Sequence, residues 1–232
     1  MTHKVFRKLF TDEELDEIYN IVDSQTNFWE ASRSVNGSTA KESYDTARVA
    51  VAKTCRPNKM PAAVLDKLHS AVQETKQGIY AFIEPWSIQK YKAVDRGHFH
   101  WHHDVLDFFL YHDSDKNKTP EQVFIKNIMP RRKMSVSVAL NDRREYNGGQ
   151  FIIDVGDGKQ TPIDLDRGDA VIFDSYVYHG VEDVTDGQRS ALIVWLVDGA
   201  ELNEWKVQAL DAGMDEQNFE VNYLFEDPTG TK

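Results

Sequence analysis

Between Met134 and Leu140 every second residue is aliphatic: Met134, Val136, Val138 and Leu140, with Ser135, Ser137 and Ala139 between them. Side chains on a strand alternate between two faces, so this run predicts a β-strand with one apolar face and one small, polar face. The same period of two recurs in short runs from Gly78 onward. Ile79 to Tyr91 reads as one strand, or as two broken near Pro85. Gln150 to Val155 follows the turn Asn147-Gly148-Gly149, and Gly156-Asp157-Gly158 is a hairpin signal. Ala170 to Phe173 follows Arg167-Gly168-Asp169; then come Val177 to Val184, a turn at Asp186-Gly187, and Ser190 to Val197. Many short antiparallel strands joined by Gly-rich turns predict a sandwich or barrel.

The N-terminal part follows a different period. Thr11-Asp12-Glu13-Glu14 has the form of a capping box, and Leu15, Ile18, Tyr19 and Val22 follow at helical spacing. Pro61 is expected to open a second helix at its first position, where a missing N–H costs nothing. Val64, Leu65, Leu68 and Val72 give that helix an apolar stripe, and Gly78 closes it. These helices are expected to brace one sheet from outside. Residues 27–47 read as a loop, Arg48 to Lys53 as a short strand, residues 113–120 as a charged insertion and Gly199 to Trp205 as a short helix before a frayed end. The expected organisation is a single domain over 1–232: helical support in 1–78, a β core in 79–198 and an extension in 199–232.

With 41% hydrophobic residues in 232, the chain can bury a substantial core. No run approaches the ~20 apolar residues of a membrane span, and Met1 to Arg7 lacks the apolar stretch of a secretory signal. A single cysteine, Cys55, excludes an intrachain disulfide and a Cys-rich zinc module, so a cytoplasmic location is the expectation. The net charge of −11 disfavours broad contact with nucleic-acid phosphates. Arg131-Arg132-Lys133 reads as a solvated strand entrance.

Half of the eight histidines fall in His98-Phe99-His100-Trp101-His102-His103-Asp104. If this run is extended, His98, His100, His102 and Asp104 share one face, and His102 and Asp104 stand about 7 Å apart at Cα. His179, before Gly180 in a later strand, offers a third ligand. Two His and one carboxylate suit Fe(II), binding one octahedral face and leaving three positions open. A lone His-x-Asp is common and is most often a core or surface pair; the distant His179 and Arg189 are what raise its weight. His100 is either a neighbour of the ligands or a rival ligand, and His100-x-His102 is the alternate pair of a cupin-like, non-oxidative metal barrel. Arg189 opens the apolar run Ser190 to Trp195; it points into the same cavity as the alternates Ala191, Ile193 and Trp195 or away from it, and parity alone does not say which. A buried guanidinium there needs an anion, for which a dicarboxylate has the matching planar fork. Ser135 and Ser137 are candidate partners for fixing an imidazole tautomer.

The ordered segments Gln89-Lys90-Tyr91, His102-His103-Asp104, Ser135 to Asn141, Tyr146 to Phe151, Gly168 to Phe173, His179 to Val184 and Gly187-Gln188-Arg189-Ser190 resemble the Fe(II)/2-oxoglutarate-dependent dioxygenases. Within them the likeness is to the prolyl 4-hydroxylase-type branch, including the PKHD-type hydroxylases. It covers about residues 80 to 198. The resemblance implies a double-stranded β-helix, a jelly-roll barrel that is mainly β with flanking helices. It implies His102, Asp104 and His179 as iron ligands and Arg189 as the residue binding the C5 carboxylate of 2-oxoglutarate. Tyr91 and Trp195 would line the cosubstrate pocket, and Arg48 would lie near the substrate cleft. Fe(II) and 2-oxoglutarate are then the implied cofactor and cosubstrate, with ascorbate as a reductant. The implied reaction is hydroxylation of an unactivated C–H, of a prolyl residue in a peptide or protein; a free amino acid or small metabolite is the alternative substrate. Many collagen-type relatives carry Lys where this chain has Arg189, and the interval from Asp104 to Met134 is long. Residues 27–47 and 105–131 are expected to flank the barrel mouth, with Phe108, Phe109 and Tyr111 in a lid or in the core.

Overall fold

The computed structural model describes residues 3–26, 30–31, 48–82, 85–105, 119, 121, 129–214 and 223–225. The chain begins with β1 (His3–Phe6), α1 (Asp12–Ser24), β2 (Glu30–Ala31), β3 (Arg48–Val49), β4 (Val51–Cys55) and α2 (Ala62–Thr75). It continues through β5 (Tyr80–Phe82), β6 (Trp86–Lys92), β7 (His98–His102), β8 (Arg132–Ala139), β9 (Tyr146–Gly148), β10 (Phe151–Asp154) and β11 (Gln160–Ile163). It closes with β12 (Ala170–Asp174), β13 (His179–Val181), β14 (Val184–Asp198), α3 (Gly199–Asp211) and β15 (Tyr223–Phe225).

Two antiparallel sheets result. The larger runs β1-β12-β8-β14-β6-β4-β2, with β5, β9 and β15 joined to it through β14 and β5. The smaller runs β11-β10-β13-β7-β3. They form an open jelly roll rather than a closed barrel.

The larger sheet is buried on both faces, and the alternation of β8 explains how. Met134, Val136, Val138 and Leu140 join one core with Leu15, Ile18 and Val22 of α1 and Val64, Leu68 and Val72 of α2. Each such side chain stabilises the fold by roughly 1.5–3 kcal/mol when fully buried. Ser135, Ser137 and Ala139 face the other way, toward the smaller sheet. There Tyr91, Val171 and Phe173 of the larger sheet meet Phe151, Ile153 and Val181 of the smaller one in a second core. The helices therefore brace the larger sheet and leave the space between the sheets for a cavity.

The capping box of α1 is formed: the Thr11 N–H donates to Glu14 Oε2 at 2.8 Å, and the Glu14 N–H donates to Thr11 Oγ1 at 3.4 Å. Glu14 also pairs with Lys67 of α2 at 2.7 Å, tying the two braces together. Pro61 stands at the N-cap of α2, one residue before the first helical position. The run 79–91 is two strands, with Pro85 in the gap. The helix after Gly199 extends past Trp205 to Asp211, anchored by Asp198 accepting from the Ala200 and Glu201 N–H groups. Strand β1 is an addition; it pairs with β12, more than 160 residues away. Glu30–Ala31, inside the expected loop 27–47, pairs with β4. Phe108, Phe109, Tyr111 and nearly all of the 105–131 segment lie outside the described residues. Among the described residues no helix is long and apolar enough to cross a membrane.

Candidate metal centre

The strict alternation expected for residues 98–104 fails, and its failure builds the site. On β13, Val181 pairs with Phe99 and His179 with His102. Two steps on β13 thus oppose three on β7, which is a β-bulge, a device that re-aims a side chain. The His98 and His100 rings stack at 4.4 Å, and His100 is exposed. Phe99 stacks on His102 at 3.5 Å, and both line the cavity. Gly180 makes room for the bulge: a Cβ there would stand 2.9 Å from the Phe99 carbonyl oxygen. His100 is not part of the three-residue cluster that His102 joins among the described residues.

His102, Asp104 and His179 meet with their ligand atoms all within 4.8 Å of one another. His179 Nε2 lies 3.5 Å from Asp104 Oδ2, and His102 Nε2 lies 3.7 Å from Oδ1. An ion with bonds of about 2.1 Å holds neighbouring ligands about 3 Å apart, so a small contraction would bring these three onto one ion. In both rings Nδ1 meets a backbone carbonyl, His100 O at 2.7 Å and Val177 O at 3.0 Å. A carbonyl only accepts, so Nδ1 carries the proton and Nε2 offers its lone pair to the centre.

Asp104 is buried, and burial alone would push its pKa up; the neighbouring His179, His102 and Arg132 outweigh this and hold the carboxyl well below the usual carboxylate range. Burial pushes His179 down to about 4 against the pull of Asp104, so its imidazole is neutral at pH 7. An ionised carboxylate and a neutral imidazole are the forms a metal requires. Ser135 partners the carboxylate, not an imidazole: its hydroxyl donates to Asp104 Oδ2 at 2.7 Å.

Arg132 corrects the expected solvated strand entrance. A second register shift, between Leu196 and Val197 of β14, precedes its pairing with Val197. Its guanidinium lies buried 3.8 Å over the Trp195 ring and donates to the Asp104 carbonyl at 3.2 Å. Neither Phe99 nor Arg132 is marked by residue type or spacing, because each depends on a bulge.

Arg189 is 3% exposed and sits opposite Tyr91 in register, its guanidinium 5.3 Å over the Tyr91 ring. The parity question resolves inward: Arg189, Ile193 and Trp195 all line the cavity together with the triad. Arg189 Nη1, Ser137 Oγ and Trp195 Nε1 are buried without a hydrogen-bond partner among the described residues. Tyr91 donates its hydroxyl proton to Gln89 Oε1 at 2.6 Å. Arg48 lies 4.7 Å over the Phe99 ring at the edge of the smaller sheet and is not a lining residue.

Residues 86–197 match the 2OG-Fe(II) oxygenase superfamily, and this stretch contains the triad and Arg189. A PKHD-type hydroxylase of Alteromonas mediterranea is 38% identical over 66 residues, 28% of this chain and 29% of that protein. The chain spans less than a third of the length of this and two further such relatives. Among solved structures, the viral collagen prolyl hydroxylase of Paramecium bursaria Chlorella virus-1, in complex with 2OG, matches with a TM-score of 0.53 at 18% identity, covering 84% of this chain and 96% of that one. A Pseudomonas putida prolyl-4-hydroxylase matches with a TM-score of 0.53 at 17% identity, covering 85% and 92%. At such identities these matches bear on the fold, and they agree with the two-sheet jelly roll described above.

Proposed function

We propose that the protein is an Fe(II)- and 2-oxoglutarate-dependent dioxygenase that hydroxylates an unactivated C–H, of a prolyl residue in a peptide or protein. One observation carries the cosubstrate part: a buried arginine with an unpaired Nη1 lines the same cavity as a His-Asp-His cluster. A buried donor of a cation left unpaired is costly, and a bound carboxylate removes that cost. Ser137 Oγ and Trp195 Nε1 add two unpaired donors on the same wall. His102, Asp104 and His179 would hold Fe(II), which with 2-oxoglutarate supplies the oxidative decarboxylation that drives insertion of oxygen into a C–H bond. The protein's own part is placement. Arg189 would bind the far carboxylate of the keto acid, and the carbonyls behind each imidazole keep Nε2 aimed. Phe99, Phe173, Val181 and Ile193 give the cavity apolar walls that limit water.

The prolyl assignment is supported by the PKHD-type relatives and by the prolyl hydroxylases among the structural matches. The decisive assay measures succinate release with Fe(II) and 2-oxoglutarate, with and without ascorbate, across proline-containing peptides, free proline and other amino acids. Peptide-dependent succinate with a 16-dalton gain on proline is the expected result. Release driven only by a free amino acid would replace the prolyl reading, and no metal-dependent release under any condition would remove the enzymatic one.

A further inference from the structure

We propose that Ser175 and Ser135 form a hydroxyl relay that positions Asp104 as a one-oxygen metal ligand, with Ser135 holding Oδ2 and Oδ1 turned to the ion. The inference rests on the metal reading above. Asp104 follows the end of β7 and lies in no strand ladder, so its own element does not fix it. Its anchors come from elsewhere. The Asp104 N–H donates to the Ser175 carbonyl at 2.8 Å, and the Ser175 N–H donates to the Lys133 carbonyl at 3.0 Å. Ser135 Oγ donates to Asp104 Oδ2 at 2.7 Å and meets Ser175 Oγ at 2.9 Å.

The direction of the relay follows from counting protons. A serine hydroxyl has a single proton. Ser135 gives its proton to the carboxylate, so the Ser135–Ser175 bond must use the proton of Ser175. Both serines are essentially inaccessible, at 1% and 0% exposure, so water does not compete for either bond. The sequence alternation explains why a hydroxyl stands here: Ser135 pairs with Phe173 on one side and Trp195 on the other, on the cavity face of a strand whose opposite face is aliphatic. Ser137, two residues on, has no hydrogen-bond partner among the described residues and does not meet the carboxylate. A carboxylate held at one oxygen cannot swing about its terminal torsion. Oδ1 then faces His102 Nε2 at 3.7 Å, while Oδ2, 3.5 Å from His179 Nε2, is taken up by the Ser135 hydroxyl.

The test is Mn(II) binding to the full chain, read as the loss of the free-Mn(II) paramagnetic resonance signal, with melting of the metal-free protein followed alongside. Ser135→Ala should bind Mn(II) about 10–100-fold more weakly, the usual consequence of removing a partner behind a ligand. Ser175→Ala should weaken binding by a smaller factor and add nothing in the Ser135→Ala background, because the relay is already cut. Ser135→Thr, which keeps the hydroxyl, should recover most of the affinity. Unchanged Mn(II) affinity in Ser135→Ala, while His179→Ala abolishes binding, overturns the relay and leaves the metal site standing. A lowered melting point with preserved affinity overturns it equally, as would additive effects of the two alanines. If Ser135→Ala does not fold, Ser175→Ala decides, and wild-type affinity there overturns the proposal. Absence of Mn(II) binding by the unmutated protein overturns the metal reading itself, and this inference with it.

Discussion

At one end of the cavity the polar groups are already held from behind: the two Nδ1 atoms by carbonyls and Asp104 Oδ2 by Ser135. At the other end Arg189 Nη1, Ser137 Oγ and Trp195 Nε1 are buried and, among the described residues, unpaired. Under the proposed function, the contrast reflects two ligand chemistries. An ion needs lone pairs aimed at one point, and carbonyls and hydroxyls can aim them before the ion arrives. An organic acid needs donors facing open space, and donors kept for a ligand remain unpaired without it. The first end is thus pre-organised at little cost, whereas the second bears a buried charge that binding relieves.

The largest expected effect comes from breaking the first end. His179→Ala should reduce turnover to background and weaken Mn(II) binding by more than the roughly 10–100-fold typical of residues behind a ligand. Measurable turnover in that variant would mean that the triad is not the metal site. Next is Arg189→Met, which keeps the length of the side chain and deletes the charge. Charged hydrogen bonds contribute about 1.5–3 kcal/mol, so 2-oxoglutarate should bind roughly 10–150-fold more weakly. Mn(II) affinity should stay near wild type, which separates the two ends. Since the variant also removes a buried guanidinium whose Nη1 is unpaired among the described residues, the ligand-free protein should melt no lower than wild type. A much lower melting point with an unchanged KM for 2-oxoglutarate would instead make Arg189 a structural cation.

Gly180→Ala tests the bulge that connects the two histidine strands. The added methyl would meet the Phe99 carbonyl at 2.9 Å, a backbone atom with little freedom to move. Overpacking of this kind costs about 1–3 kcal/mol. Displacing the bulge should turn His102 off its line and weaken Mn(II) binding more than 2-oxoglutarate binding. Equal losses of both would mean that the two ends are mechanically one.

What the sequence showed of this site, and what it hid, divides at the bulges. The faces of β8 were legible because seven residues alternate without interruption and both faces are buried. His102, Asp104 and His179 were legible as a chemical set, since His-x-Asp survives whatever the strand does upstream. Their geometry was not: alternation placed His98 and His100 beside His102, and one inserted residue moved them away. Arg132 was misread for the same reason, as the register shift at Leu196 and Val197 leaves no trace in its own composition. Strand β1 was missed because four residues carry little signal and its partner β12 lies at the far end of the chain. The inward direction of Arg189 needed the neighbouring strands, because an Arg at the mouth of an apolar strand fits either face.

The smallest expected effect on either end comes from Asp169, which serves as the control for fold alone. It is buried, with Oδ1 accepting from the Lys8 N–H at 2.8 Å and Oδ2 accepting from the Asp166 N–H at 3.0 Å and from Arg7 at 2.7 Å. Burial alone would raise its pKa, but these donors and the Arg7 charge hold it below the ordinary carboxylate value. A carboxyl depressed in the folded state contributes stability that is complete above its unfolded pKa of about 3.9 and is lost as pH falls through the lower folded value. Asp169→Asn keeps one acceptor and loses the charge, so it should cost on the order of 1–3 kcal/mol at pH 7. The gap in melting temperature between wild type and variant should narrow on acidification below about pH 4, where the wild-type carboxyl is itself becoming neutral. Mn(II) and 2-oxoglutarate affinities should be unaffected, because Asp169 touches neither end of the cavity. A gap that widened in acid would reverse the sign of the linkage. A shift in either affinity would mean that β1 and the turn before β12 reach the site, and the contrast between a pre-organised and a ligand-completed end would then have to include the N-terminal strand.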